Sequence, residues 1–427
     1  MAELFIELLS EEMPARLQID ARKKIKQLIN EKLAKKEINF KSSLSFSTPK
    51  RLVFVIEGIS DKIIQKKKII KGPKIEAPQI AIEGFIKSNN LDRKDLYKKK
   101  IEKGEFYFAQ TKPKLINISK ELQTIIPEAF QSYSWKKSMK WSNYDLSWGR
   151  PLKSIIAIFN KKVIDFKFFH IQSGNLTLID GIKDEKIKKV SNFNSYLSCL
   201  KSQNIILDHE KRKSEILKKM NNICNTRKLQ KNFNEKLIEE VVNLVEKPNI
   251  ILGKFDEIYL KVPQEILIVT MQQHQKYFPL FDEKGKLTNL FLLVSNLPDE
   301  KGYIKTGNQR VIEARLSDAK FFWEKNRTQS LVKQISKLKQ LLFFNQLGTF
   351  YDRTQRLRKL AGPISYQLNL SKEKIEIASS ICKVDLASDL VGEFPELQGV
   401  MGRYFAIEQG FEEDVSMAIS DHYLPIG

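Results

Sequence analysis

Apolar residues keep strand spacing over residues 3–9 and switch after Pro14 to the three-and-four spacing of a helix reaching about Leu33. Residues 42–48 and 51–59 read as strands bent at Thr48-Pro49, since proline breaks a central ladder. Residues 61–74 hold six lysines, one aspartate and Gly72-Pro73, which predicts a basic loop or ribbon and no core element. A short strand is predicted over 106–111, a short helix over 127–137, and paired strands over 154–159 and 163–169 across Asn160-Lys161-Lys162. From about 191 the spacing turns helical, with two helices between 193 and 220 and another over 235–245 that runs into a strand at 249–252. Pro263 opens a helix through Gln275, strands at 278–281 and 290–294 flank Gly285, and 308–324 is an amphipathic helix. Beyond Ser330 only helices are expected, broken at Gly362-Pro363 and around 392–395.

This order predicts a multidomain α+β chain: a mixed α/β N-terminal body over 1–325, with a possible sub-boundary near 190, followed by an all-α part over 326–427. A length of 427 residues agrees, because a single core stops growing well below that size. With 42% hydrophobic and 29% charged residues the chain can bury real cores. No apolar run approaches the roughly 18 residues of a membrane helix, and Glu7, Glu11 and Glu12 replace the basic start of a secretory signal. The cytoplasm is the expected location, with no membrane partner. Cys199, Cys224 and Cys382 stand far apart, in no spacing for zinc or a disulfide framework.

Charge narrows the class of partner. A formal net charge of +22 and a pI near 9.6 point to a polyanion. Most of the cations are lysines, 59 against 14 arginines, and lysine suits phosphates better than base edges. Residues 381–427 reverse the sign, with Lys383 and Arg403 against nine acidic residues. A basic body and an acidic end face different partners.

Reaction chemistry is sparse. The chain has no phosphate-binding glycine loop, no dinucleotide fingerprint and no Gly-x-Ser-x-Gly elbow. His170, His209, His274 and His422 form no His-x-x-x-His metal face. No catalytic residue, no metal site and no cofactor bound by this chain are therefore expected. His274 falls at helical spacing from Met271 and Phe278, which predicts a hydrogen-bonded core histidine ahead of a contact with RNA. In the 308–324 helix Val311, Ile312, Leu316, Ala319, Phe322 and Trp323 make the buried arc, and Arg315 within it needs an internal partner or a phosphate. Trp135, Trp141, Tyr144 and Trp148 are interleaved with Lys136, Lys137 and Lys140. They suit core packing and, beside it, base stacking with phosphate contact.

Several of these residues belong to longer runs that resemble the glycyl-tRNA synthetase beta subunit family. The runs include Glu7-Leu8-Leu9-Ser10-Glu11-Glu12-Met13-Pro14, Thr48-Pro49-Lys50-Arg51-Leu52, Lys71-Gly72-Pro73, Met139-Lys140-Trp141 and Arg150-Pro151. Later come His274-Gln275-Lys276-Tyr277-Phe278-Pro279, Val294-Ser295-Asn296, Gly307-Asn308 through Arg310-Val311 to Ala314-Arg315-Leu316, and Asp318-Ala319 with Phe321-Phe322. Leu347-Gly348-Thr349 with Asp352, and Gly392-Glu393-Phe394-Pro395-Glu396-Leu397-Gln398-Gly399 into Met401-Gly402-Arg403-Tyr404, complete the order.

The resemblance implies two alpha and two beta chains, with ATP and Mg2+ acting at the alpha subunit and the beta subunit gripping tRNA(Gly). It also implies a body similar to the editing-type domain of the phenylalanyl-tRNA synthetase beta chain, then a helical HD-like domain. A tail and an anticodon-binding domain of the family are expected to lie outside this sequence. The candidate tRNA contacts are Lys66, Lys67, Lys68, Lys71, Lys140, His274, Lys276, Arg310 and Lys320. Two departures stand out. Lys383-Val384-Asp385 occupies the place of a His-Asp dyad, and Leu178-Ile179-Asp180-Gly181 replaces the family's Gly-His-Arg-Phe after Gly174-Asn175-Leu176-Thr177. The alternatives are a stand-alone RNA-binding protein and an HD-type phosphohydrolase.

Overall fold

The computed structural model describes residues 2–60, 63–65, 69–101, 104–110, 114–180 and 185–425. Packing divides the chain into two compact units, Met1–Arg212 with Val242–Glu246, and Lys213–Val241 with Lys247–Gly427.

The first unit begins with strand β1 (Ala2–Ser10), helix α1 (Ala15–Lys35) and the hairpin of β2 (Ser42–Thr48) and β3 (Arg51–Ile59). Then come β4 (Ile63–Gln65), β5 (Ile69–Lys74), α2 (Gln79–Ser88), β6 (Leu96–Ile101), β7 (Gly104–Gln110), β8 (Lys114–Ile116) and α3 (Ile118–Gln131). Strands β9 (Leu152–Phe159), β10 (Lys162–Val163), β11 (Lys167–Phe168), β12 (Ile171–Gly174), β13 (Leu176–Asp180) and β14 (Glu185–Lys189) precede α4 (Phe193–Lys201) and the start of α5 (His209–Arg227). The main sheet runs β11-β12-β9-β1-β3-β2, with β10 also on β9. β1 is antiparallel to both of its neighbours.

Both faces of β1 are covered, so its burial does not alternate. Leu4, Ile6 and Leu8 share a core with Ile25 and Ile29 of α1 and Leu122 and Phe130 of α3. Phe5 faces the other way, into a core with Val53, Ile156 and Tyr196 and Leu200 of α4. Strands β9 and β10 meet at a tight turn in which Asn160 and Lys161 both take positive φ, 49° and 64°, the geometry that right-twisted hairpins favour.

The second unit carries α6 (Glu235–Val242) up to Val241, then β15 (Asn249–Lys254), α7 (Gln264–Val269), β16 (Phe278–Phe281) and β17 (Leu287–Ser295), which pair as β15-β17-β16. Helix α8 (Tyr303–Arg327) leads to α9 (Leu331–Gln334), a small β18 (Leu342–Phe344) and β19 (Gly348–Thr349) ladder, and helices α10 (Phe350–Gln367), α11 (Lys372–Ile381), α12 (Asp389–Glu393), α13 (Val400–Glu408) and α14 (Glu413–Asp421). One core joins Phe291 and Leu293 to Ile312, Leu316 and Trp323 of α8 and to Leu390, Met401 and Phe405. The expected division after residue 325 falls within α8 and within this core. No helix among the described residues is long and apolar enough to cross a membrane.

Mixed α/β structure followed by a mainly helical end is what the apolar spacing predicted, but several elements differ. The 127–137 helix instead starts at Ile118, capped by the Asn117 side chain, because the stripe Ile118, Leu122, Ile125 and Ile126 extends upstream of Pro127. Helix α10 continues through Gly362-Pro363, whose proline lies on the exposed side, where water can take the freed carbonyl. The 163–169 strand is split into β10 and β11. Part of the expected basic loop or ribbon forms β5, which pairs with β7, while β18–β19 interrupts a region expected to be wholly helical.

Candidate nucleic-acid interface

Lys66, Lys67 and Lys68 lie outside the described residues, as does Gly181. Lys71 is exposed on β5, with its ammonium 3.5 Å from the centroid of the Phe106 ring. Lys140 is exposed beside the bridge in which Met139 and Trp148 exchange backbone hydrogen bonds of 2.8 and 3.1 Å. Trp148 is a core residue, edge-on to Trp135 at 4.9 Å. Gly149 makes this packing possible, because a Cβ there would sit 2.4 Å from the Trp135 ring. The outer part of the aromatic segment is open: Tyr144 is 41% exposed and stacks on His170 at 3.5 Å with the rings 5° from parallel. The four aromatics therefore divide: Trp135, Trp141 and Trp148 pack in or against the core, and Tyr144 stands at the surface, with Lys136, Lys137 and Lys140 of the same segment exposed.

In the second unit the expected core role of His274 is overturned. Its side chain is exposed, 5.3 Å from the Phe394 ring centroid. After Val269 the helix widens into an i→i+5 turn over Thr270–His274, which carries residue 274 off the stripe of Ile266, Leu267 and Met271. Lys276 follows at φ 59° and pairs with Glu240 at 3.1 Å. The Tyr277 hydroxyl bonds to the Asn308 side chain. That bond fastens the His274–Lys276 turn to α8, the helix that carries exposed Arg310 and half-buried Lys320.

The buried side of α8 is Ile312, Leu316, Ala319, Trp323 and Asn326, so Val311 and Arg315 are exposed rather than inside. Arg315 needs no internal partner. A cleft of about 540 Å³ in this unit, lined by Lys219, Asn249, Asp299 and Lys305 among others, includes none of the predicted contacts. The structure thus links four of the candidates through one turn and one helix, and places Lys71 and Lys140 in the other unit.

Two buried polar clusters went unread in the sequence. Glu7, in the middle of β1, accepts hydrogen bonds from Thr177 at 3.0 Å and Tyr196 at 2.6 Å, and faces Arg51 at 3.5 Å. Arg51 also reaches Glu246 at 3.9 Å, whose carboxylate accepts from the Thr48 hydroxyl. Burial raises the Glu7 carboxyl above its usual range, offset in part by Arg51, Tyr196 and Thr177. Nearby, Arg212 donates to the carbonyls of Val242 at 2.7 Å and Ser47 at 2.9 Å. The only signal in the sequence was a carboxylate inside an apolar strand.

The second cluster centres on Asp385, which accepts from the Gly399 backbone N–H. Burial pushes its carboxyl up to about 6. Lys383 lies with its ammonium 3.6 Å from the Tyr423 ring centroid, and burial, reinforced by Arg353, lowers it to about 8. Gly399 takes φ +82°, and a Cβ there would meet the Tyr423 ring at 2.6 Å. Among the described residues no group of three or more His, Cys, Asp or Glu could hold a metal ion.

A family model described as glycyl-tRNA synthetase beta subunit matches residues 4–427. The glycine–tRNA ligase beta subunit of Rickettsia felis is 37% identical over 431 residues, covering 100% of this chain and 64% of that protein. The protein of the same name from Clostridioides difficile is 38% identical over 435 residues, covering 99% of this chain and 63% of its own length. The chain thus spans under two thirds of the length of these relatives.

Proposed function

We propose, from the premise that this chain belongs to the glycyl-tRNA synthetase beta subunit family, that it serves as the tRNA-gripping part of a two-subunit glycine–tRNA ligase. In this reading a separate alpha chain uses ATP and Mg2+ to activate glycine, two alpha and two beta chains assemble in the cytoplasm, and this chain orients tRNA(Gly) at the alpha active site. Its contribution to rate is positional: holding the terminal ribose beside an adenylate made elsewhere removes the entropy of a bimolecular encounter. The first unit would correspond to the editing-type body and the helices after α8 to the HD-like domain, with Lys383 and Asp385 standing where a His-Asp dyad would bind metal.

The observation that carries the reading is a family match over residues 4–427 in a chain of net charge +22. Lys66, Lys67, Lys68, Lys71, Lys140, His274, Lys276, Arg310 and Lys320 are the proposed tRNA contacts, with lysine phosphate contacts supplying most of the affinity.

The test mixes the purified chain with its alpha chain and measures co-purification, glycylation and tRNA(Gly) affinity against salt. We expect capture of the alpha chain. Replacing Lys66, Lys67 and Lys68 by Ala should lower the slope of log affinity on log salt by about 2 to 3, at roughly 0.7–0.9 per phosphate contact. Adenylate formation by this chain alone, or indifference to tRNA at low ionic strength, overturns the reading. Metal-dependent nucleotide hydrolysis would favour a phosphohydrolase, and RNA binding without an alpha partner would favour a stand-alone RNA-binding protein.

A further inference from the structure

The three-stranded sheet of the first unit, ordered β5-β7-β6, has one face covered by α2 and an open face on which Lys71, Lys74, Tyr97 and Lys99 are exposed. Helix α2 packs on the covered side, where Phe85 lies against Gly72 and Ala109 is buried. Cross-strand pairing sets Lys71 and Tyr97 opposite Phe108, and Lys74 and Lys99 opposite Phe106. Alternation along each strand brings these six side chains to the open face. Tyr97 is 41% exposed and stacks on Phe108 with centroids 6.1 Å apart and planes 29° from parallel. The Lys71 ammonium sits 3.5 Å from the Phe106 centroid, Lys74 lies 6.0 Å from the same ring, and Lys99 is 5.8 Å from Phe108.

We propose that this face is a stacking platform for unpaired nucleotides of an RNA strand. One base takes the place of the Lys71 ammonium over Phe106, and a second lies against the Tyr97–Phe108 pair. Lys71, Lys74 and Lys99 turn outward to the flanking phosphates. The exchange is favourable because a base covers a ring more completely than an exposed ammonium does, while the lysine trades a weak cation–π contact for a phosphate. The partner is single-stranded, since aromatic faces engage base faces that a duplex keeps inside its own stack. It is polyanionic, since three cations and no acidic residue stand among the six. The inference rests on the RNA-binding half of the proposed function and specifies which RNA this sheet takes.

The test uses the full chain with fluorescein-labelled hexaadenylate and an RNA duplex of equal phosphate count. Tyr97→Leu with Phe108→Leu should weaken hexaadenylate binding on the order of tenfold, leaving the salt slope and duplex binding unchanged. Lys71→Gln, Lys74→Gln and Lys99→Gln together should lower the slope for hexaadenylate by about 2. Tyr97→Ser, at an exposed position, keeps the test open if the double variant does not fold. A 2-aminopurine base in the strand should be quenched on binding, and the quenching lost in the aromatic variants. Unchanged affinity and quenching in folded aromatic variants that still bind tRNA overturns the platform alone, as does equal affinity for the duplex. Absence of all RNA binding overturns the proposed function along with it.

Discussion

Arg51 is among the largest fully buried side chains of the protein, 1% exposed between two carboxylates. Removing its charge leaves Glu7 and Glu246 buried without it, and breaking such a pair costs about 3–5 kcal/mol. Arg51→Met should therefore lower stability by that amount in urea unfolding, and adding Glu7→Gln should recover part of the loss. A cost under about 1 kcal/mol, as for a surface pair, would contradict the buried network. Asp385 gives a pH signature. Its folded pKa of about 6 exceeds the ordinary 3.8, so its contribution to stability is full below 3.8 and is lost as pH rises through 6. Asp385→Asn should remove a decline of about 3 kcal/mol across that window, at roughly 1.4 kcal/mol per pKa unit, seen by comparing urea unfolding of the two proteins from pH 3.5 to 7. At this scale Lys71 and Lys140, which stand in polar stretches, are exposed, whereas Lys276 and Lys320 are half-buried. His274 and Arg315 were misplaced because their burial depends on helix phase, which a local widening or a few degrees of rotation resets.

Among the elements, those with a long apolar stripe were the readable ones: β1, α1, the β2–β3 hairpin and α8 follow from spacing alone. Proline was overread. Pro127 and Pro363 both lie inside helices, α3 and α10, because packing along the rest of each helix outweighs one lost hydrogen bond. Helix α10 consequently carries two poor helix formers side by side. A Cβ at Gly362 would meet nothing within 4 Å, so Gly362→Ala should stabilise by about 1 kcal/mol and Pro363→Ala by up to about 3 kcal/mol. An upward shift of the thermal midpoint checks both. No shift would mean that the helix end frays before global unfolding. Of the small sheets only β7 was legible, as the strand expected over 106–111; β5 and β6 are short and lysine-rich, and β18 and β19 hold only a few residues.

For the whole molecule, apolar spacing implied a mixed α/β order with a helical end, and linear reading expected a division at 325, where the secondary structure changes. The structure divides by packing, and segment Val242–Glu246 returns to the first unit after an excursion into the second. Sequence distance cannot show such a return, because the contacts that draw it back are the carbonyls of Val242 and Asn243 and the carboxylate of Glu246. Separate cores should unfold separately. Trp323 lies in the second unit and Trp135, Trp141 and Trp148 in the first. Trp323→Phe should therefore give a fluorescence transition with a midpoint different from that of helix loss by circular dichroism, and coincident curves would show one cooperative block.

The placement of β1 has a consequence for synthesis. It precedes β9 in the chain, yet one of its hydrogen-bonding edges belongs to that later strand, whose register with it runs from Leu152 to Phe159. Until that later stretch emerges, the nascent chain presents a nearly continuous apolar ribbon with an open edge, the kind of segment that invites pairing with neighbours on a polysome. Slow translation between the two strands should prolong that vulnerable interval, and chaperone dependence should concentrate there rather than in the helical second half.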